Sequence, residues 1–255
     1  MVDYFIPESF KLNGYKRLLQ SFFSQGYEVR DFCDDDGQLA KLDRQHLILR
    51  HDIDMSLDAA LAIGAIEMEL GVSSTYFVLL GSEMYNIFSP SSKYILESLM
   101  KMGHKIGLHF DASQYENNFS SLDKAAQQEC TLLENLIESS IKIISFHRPS
   151  QRFLGLDSKL AGRIHTYQPY FFKDMGYCSD SRGAWYHGNP LQNNSVKNKS
   201  ALQLLTHPIW WQDNGGKNVQ DALDDFCWNR IDILRNELAN NCQTYKYFGS
   251  PTKFF

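Results

Sequence analysis

Between Phe10 and Ser24 the apolar residues Leu12, Tyr15, Leu18, Leu19, Phe22 and Phe23 recur at helical spacing, and Gly26 follows as a stop. Tyr27–Phe32 then alternates as a short strand does. From residue 47 the pattern switches back and forth. Short apolar runs at 47–50, 74–79, 105–110 and 142–146 read as strands, and two later segments, 176–180 and 201–208, continue the series. Longer stretches of helical period fall between them, at 56–70, 93–102 and 121–139, the first two closed by Gly71 and Gly103. An amphipathic helix over about 219–241 ends the pattern. The acidic group Asp34-Asp35-Asp36-Gly37 reads as a solvated turn, because it lacks the alternating Asp spacing and the later Glu of a calcium loop.

Strands that alternate with helices and are apolar throughout imply a parallel sheet covered on its faces, hence an α/β fold. The ionisable residues fall repeatedly at the C-terminal ends of the strands: Asp52, Asp54, His109, His147, Arg148, Asp180 and His207. In a β/α barrel these ends meet at one mouth, and in an open doubly wound sheet they meet at a switch point. No repeat or long linker divides the chain, so residues 1–255 are expected to form a single domain.

Composition narrows the function classes. At 43% hydrophobic and 22% charged residues the chain has the balance of a globular protein. A net charge of -5, with Lys and Arg scattered, argues against nucleic acid as a partner. No stretch approaches the about 20 apolar residues of a membrane span, and the first residues lack the form of a signal peptide. The five cysteines are odd in number and widely spaced, which suits reduced thiols and a cytoplasmic location.

The segment Arg50-His51-Asp52-Ile53-Asp54 carries the strongest chemistry. Two carboxylates two residues apart at a strand end need cations or a metal to be stable there. A structural ion pair with Arg50, or a helix cap by Asp54, would account for them equally well on this segment alone. His109 and His147 end later strands, and Asp with His suits zinc, cobalt, nickel or iron. Catalytic sites usually take three such ligands and leave a position for water.

In order and spacing these segments resemble the polysaccharide-deacetylase family, the NodB-homology type, over residues 47–210. His51-Asp52-Ile53-Asp54 is similar to its first motif, which implies Asp52 as general base and Asp54 as metal ligand. Gly103-His-Lys-Ile-Gly-Leu-His109 is similar to the second, which implies His109 as a ligand. The second ligand position of that motif holds Ser113, so the third ligand is His147, Asp111 or none. Arg148-Pro149 resembles the third motif and implies an arginine set against the base. Asp180-Ser-Arg182 with Trp185 resembles the fourth, and Leu202–His207 the fifth, implying His207 as general acid aligned by Asp180. Glu67–Phe77 resembles members found with surface-polysaccharide biosynthesis enzymes.

The resemblance implies a distorted (β/α) barrel and a metal-dependent hydrolase that removes an acetyl or similar acyl group from an amino sugar. The expected cofactor is one divalent ion, zinc first, with cobalt, nickel or iron as alternatives. The expected substrate is a lipid- or nucleotide-linked sugar of a surface-polysaccharide precursor (lipopolysaccharide or O-antigen). A metal-independent hydrolase of a non-sugar C–N bond and a catalytically silent sugar-binding barrel are the rival readings. His46, His165 and His187 are expected to be ordinary hydrogen-bonded or surface residues. His104 should lie away from the mouth, and His51 beyond the reacting groups. The aromatic groups Tyr167–Phe172 and Trp210-Trp211 are equally explained by core packing and by sugar stacking.

Overall fold

The structure is a computed structural model that describes residues 10–33, 39, 45–116, 118–149, 151, 153–212 and 218–247. The Asp34–Gly37 turn and the first nine residues lie outside the described residues. The chain divides into two units, 1–215 and 216–255. The first holds every segment that carries the family resemblance. The second is built on the helix Val219–Asn241, which is capped at its start by Asn218, whose side chain accepts from the backbone N–H of Asp221.

In the first unit eight strands form one sheet: β1 (Glu28–Val29), β2 (His46–Ile53), β3 (Thr75–Val78), β4 (Lys105–Phe110), β5 (Ile143–Phe146), β6 (Ile164–His165), β7 (Gly176–Ser179) and β8 (Leu202–Thr206). Their spatial order is β6-β5-β4-β3-β2-β8-β7, with β1 paired to the start of β2, and every ladder is parallel. The helices are α1 (Leu12–Ser24), α2 (Leu57–Glu69), α3 (Pro90–Lys101) and α4 (Phe119–Ile137), with a single turn α5 (Asn194–Lys197); the second unit's helix is α6. Among the described residues no ladder joins β6 to β7. The architecture is therefore a distorted (β/α) barrel with an open seam.

The strands are buried on both sides, as the unbroken apolar runs required. All eight residues of β2 are buried. Phe77, Ile48, Ile143, Phe171 and Met175 form an interior cluster of the barrel. Gly107 on β4 leaves the room that Phe77 fills, since a Cβ there would lie 2.6 Å from the Phe77 ring.

Expected and observed elements agree closely in type and differ at their ends. The strand expected over Tyr27–Phe32 shrinks to two residues, although Arg30 still donates to Leu47 O and extends the pairing. The pair of residues in β6 is too short to leave a period in the sequence. The cap of α2 is Ser56, whose hydroxyl accepts from Ala59 N at 3.3 Å, so capping by Asp54 is ruled out as the reason for that carboxylate.

Register decides what meets at the mouth. Asp52 stands opposite Phe77 and His51 opposite Thr206, while His109 stands opposite Ser145. The parallel arrangement brings the ends of β2, β4, β5, β7 and β8 to one side of the sheet. Each of those ends carries one or two of the ionisable residues singled out from sequence.

Candidate active site

Side chains alternate along a strand, so Arg50 and Asp52 share one face of β2 and His51 takes the other. Arg50 Nε donates to Asp52 Oδ1 at 2.9 Å and Nη2 to Oδ2 at 2.7 Å, a bidentate pair that is almost fully buried. Arg50 Nη1 donates to Gln203 Oε1 on β8 at 3.2 Å. The guanidinium also lies over the rings of Phe77 and Tyr167, at 5.5 and 5.4 Å from their centroids. Burial would raise the Asp52 carboxyl, but the charge and hydrogen bonds of Arg50, together with His109 and His207, hold the group below its ordinary range.

From Asp52 the charged groups run across the mouth in sequence. His109 Nε2 lies 3.8 Å from Asp52 Oδ2 and 3.1 Å from Asp54 Oδ1. Asp54 Oδ2 lies 3.9 Å from His207 Nε2. His207 Nδ1 meets Asp180 Oδ1 at 2.7 Å, and the backbone N–H of His207 donates to the same carboxylate. Trp211 Nε1 adds a third donor at 2.7 Å. Burial lifts the Asp180 carboxyl against these donors. His207 is pushed up to about 9: burial would lower it, but the hydrogen bond and charge of Asp180 prevail. It is therefore an imidazolium at neutral pH. The side chains of Asp54, His147 and His207 are 23%, 17% and 12% exposed, so the row opens to solvent there while Asp52 stays sheltered.

The Asp54–His109 pair has the character of two metal ligands. Asp54 Oδ1 is buried and has no hydrogen-bond partner among the described residues, although His109 Nε2 is only 3.1 Å away. His109 Nδ1 is engaged by the Ser145 hydroxyl at 2.6 Å, which turns Nε2 toward the carboxylate. Burial works against the Asp54 anion, yet His109, His207 and His147 around it hold the carboxyl well below its ordinary value. His147 stands beside His109, with ring centroids 5.3 Å apart, and its Nδ1 meets Asp111 Oδ2 at 3.2 Å. Asp111 also accepts from the Ser113 backbone and hydroxyl, at 3.0 and 2.6 Å. Ser113, which stands where the resemblance would place a second histidine, thus orients Asp111. Among the described residues no three His, Cys, Asp or Glu side chains converge as a ready ligand set.

One expectation is corrected. Arg148 is expected against the base, but it is exposed, with φ at 55°, and among the described residues no hydrogen bond or ion pair joins it to Asp52. Arg50 fills that place because it lies two residues before Asp52 on the same strand face. The i, i+2 spacing in Arg50-His-Asp52 was the available signal. The ion pair that could have been only structural is also what holds the candidate base. Gln203, Ser145, Tyr167 and Trp211 were not singled out for these contacts. They come from separate strands and loops, and only the barrel unites them.

On the other face of β2 lies a second buried polar cluster. Glu67 of α2 accepts from Tyr15 Oη at 2.6 Å, Ser74 Oγ at 2.6 Å and Tyr76 Oη at 2.7 Å, and it meets His51 Nε2 at 2.8 Å. His51 Nδ1 meets Thr206 Oγ1 at 2.6 Å, so the cluster ties α1 and α2 to β2, β3 and β8. His104 bonds Gly64 O on this side, away from the mouth. His46 and His165 are buried, and His165 bonds Ser158 O. Cys178 is pushed up to about 12 by burial and is no nucleophile. None of the five cysteines forms a disulfide among the described residues. Among the described residues no helix is long and apolar enough to cross a membrane.

No family model matches the chain, and no curated protein matches it. Solved structures do. A family 4 carbohydrate esterase from Bacillus anthracis is 17% identical, with 88% of this chain and 86% of that one covered, at a TM-score of 0.43. A deacetylase from Streptococcus pyogenes, in complex with acetate, is 10% identical over 76% and 80% of the two chains, at 0.43. A CE4 family pseudoenzyme from Bacillus anthracis is 13% identical over 81% and 64%, at 0.40. At such identities and scores the site has to be judged on this chain's own residues.

Proposed function

We propose that the protein is a hydrolase that removes an acetyl or similar small acyl group from the nitrogen of an amino sugar, in the manner of the polysaccharide deacetylases. The reading is carried by one observation: a carboxylate held by Arg50 and an imidazolium held by Asp180 stand at the two ends of a single row, with Asp54 and His109 between them. Amide hydrolysis needs a base on the side of the attacking water and an acid on the side of the departing amine.

Asp52 supplies the base. Its charge is fixed by Arg50, and each oxygen keeps a lone pair beyond the guanidinium bonds. His207 supplies the acid. Asp180 both keeps it protonated and fixes Nε2 toward the row, from which it donates a proton to the leaving nitrogen. Tyr167 and Phe77 exclude water from the back of Arg50, which strengthens the clamp on Asp52. Asp54 and His109 fit a divalent ion, with His147 as the third ligand and Asp111 behind it. Such an ion, when bound, would acidify the attacking water and polarise the amide carbonyl. Zinc is the first candidate, with cobalt, nickel or iron accommodated by the same donors.

The test is the metal content of protein purified without chelator, combined with acyl release from a panel of N-acetylated amino sugars. One metal per chain, lost in Asp54→Asn and His109→Asn, together with a 100- to 10,000-fold loss of rate in Asp52→Asn, is the expected result. No acyl release from the metal-loaded protein, or an Asp52→Asn variant as active as the parent, would overturn it. A metal-independent hydrolase is the second reading, favoured by the absence of three converged ligands among the described residues. Turnover that persists in metal-free protein would select it.

A further inference from the structure

His51 takes no part in the charged row, yet both of its ring nitrogens are engaged. Nδ1 meets the Thr206 hydroxyl at 2.6 Å and Nε2 meets Glu67 Oε1 at 2.8 Å. The imidazole stacks on the Tyr76 ring, with centroids 4.4 Å apart and planes 26° from parallel. Glu67 is held in turn by the hydroxyls of Tyr15, Ser74 and Tyr76, and all of these side chains are buried. An imidazole bonded at both nitrogens and stacked on a ring can neither turn nor slide.

Its place along the strand gives that rigidity a use. On this face of the sheet β2 and β8 pair Leu47 with Leu202, Leu49 with Leu204 and His51 with Thr206. The first two pairs are apolar. The third is polar, and it ends the ladder, one residue before Asp52 on β2 and one before His207 on β8. Cohesion of the sheet does not ask for it, because a buried ionisable network is often no more stabilising than apolar residues of the same volume. Apolar contact is non-directional, whereas a short hydrogen bond fixes both a distance and an angle. The bond between His51 and Thr206 therefore sets how far apart the two strand ends stand. Across the mouth Asp52 and His207 are linked only through His109 and Asp54 among the described residues.

We propose that Glu67, His51 and Thr206 form a positioning brace that holds the candidate base and the candidate acid at the separation hydrolysis requires. Glu67 locks the ring, His51 carries the link and Thr206 passes it to the strand that ends in His207. The inference rests on the hydrolase reading of the mouth and adds to it three residues that lie on the far face of the sheet. A misplacement of about 1 Å at the reacting groups can cost about 100-fold in rate, so the brace acts on turnover more than on substrate binding.

The test is Thr206→Val in the full-length protein, which keeps the shape and removes only the hydroxyl. Thr206→Ser restores the hydroxyl, and Ser74→Ala takes a donor from Glu67 while leaving both bonds of His51. In Thr206→Val, kcat for acyl release should fall about 10- to 100-fold with KM within about threefold of the parent. Thr206→Ser should recover the rate, and Ser74→Ala should keep it. An unchanged kcat in Thr206→Val, a loss confined to KM, no recovery in Thr206→Ser, or an equal loss in Ser74→Ala would each overturn the brace. The last would mean that rate merely follows stability. Amide hydrogen exchange of peptides spanning 50–54 and 203–208, read by mass spectrometry, does not depend on turnover. Thr206→Val should speed exchange there about tenfold or more and leave peptides of α3 and α4 as in the parent. Unchanged exchange at both strand ends would also overturn the brace. If the parent releases no acyl group but the ends loosen, the hydrolase reading fails and the link between the strands stands. If the parent hydrolyses and neither rate nor exchange responds to Thr206→Val, the hydrolase reading stands and the brace fails.

Discussion

The contrast between Arg50 and Arg148 gives the sharpest test of the structure. Replacing Arg50 with Met keeps bulk but leaves the Asp52 carboxylate buried with no guanidinium, His109 Nε2 standing 3.8 Å away, and takes from Gln203 Oε1 its donor. Removing one partner of a fully buried ion pair costs about 3 to 5 kcal/mol, because the other charge remains unsolvated. With a urea slope of about 3 kcal/mol/M, the unfolding midpoint of Arg50→Met should fall by about 1 to 2 M. Arg148 is exposed and unpaired, so Arg148→Met should stay within about 0.5 kcal/mol of the parent. Neutralising the orphaned carboxylate should recover part of the loss. Arg50→Met should therefore cost less in an Asp52→Asn background, with a coupling of about 1 to 3 kcal/mol. The assay is urea unfolding followed by tryptophan fluorescence, with all four members of the cycle measured at one pH. If Arg50→Met melts with the parent while Arg148→Met falls by 1 M, the pairing described here is wrong, and Arg148 takes the place that the family resemblance gave it.

The remaining predictions touch other parts of the molecule. Glu67 is driven down to about 2: burial opposes the anion, but the charge and hydrogen bond of His51 and the Ser74 hydroxyl prevail. Its folded value lies below its unfolded value near 4.5, so its contribution of about 3 kcal/mol is complete above that pH and lost as pH falls from 4.5 toward 2. Acid unfolding of Glu67→Gln should be correspondingly shallower over that window, and an unchanged acid limb would refute the assignment. Gly107→Ala places a methyl 2.6 Å from the Phe77 ring and 3.2 Å from Ile143 O. Thermal melting should show a loss of about 1 to 3 kcal/mol. Arg148→Gly and Arg182→Gly remove a side chain from positive φ and should leave stability unchanged or raise it by up to about 1 kcal/mol. A large loss in either would mean that the arginine is a structural residue.

The alternation of apolar runs and helical-period segments was enough to place nearly all strands and helices, because a strand buried on both faces has no polar position to hide its length. The same pattern put Asp52, Asp54, His109, Asp180 and His207 at strand ends, and parallel pairing then leaves them one place to meet. Even the orientation of His51 away from the row followed from alternation, since a one-residue step along a strand reverses the face. Partner choice did not follow. Whether Arg50 or Arg148 reaches Asp52 depends on which side chain enters the interior behind Phe77 and Tyr167, and those two rings come from β3 and from the loop after β6. Trp211 and Asp180 are 31 residues apart and meet only because β7 lies beside β8. Ser113 shows no local sign that it would orient Asp111 beside His147. Periodicity is a property of neighbours along the chain, so the sequence by itself determined the elements and the rim of ionisable residues. Charge pairing inside a barrel is a property of neighbours in space, and only the tertiary structure decided which cation holds the candidate base and that Arg148 was left facing solvent.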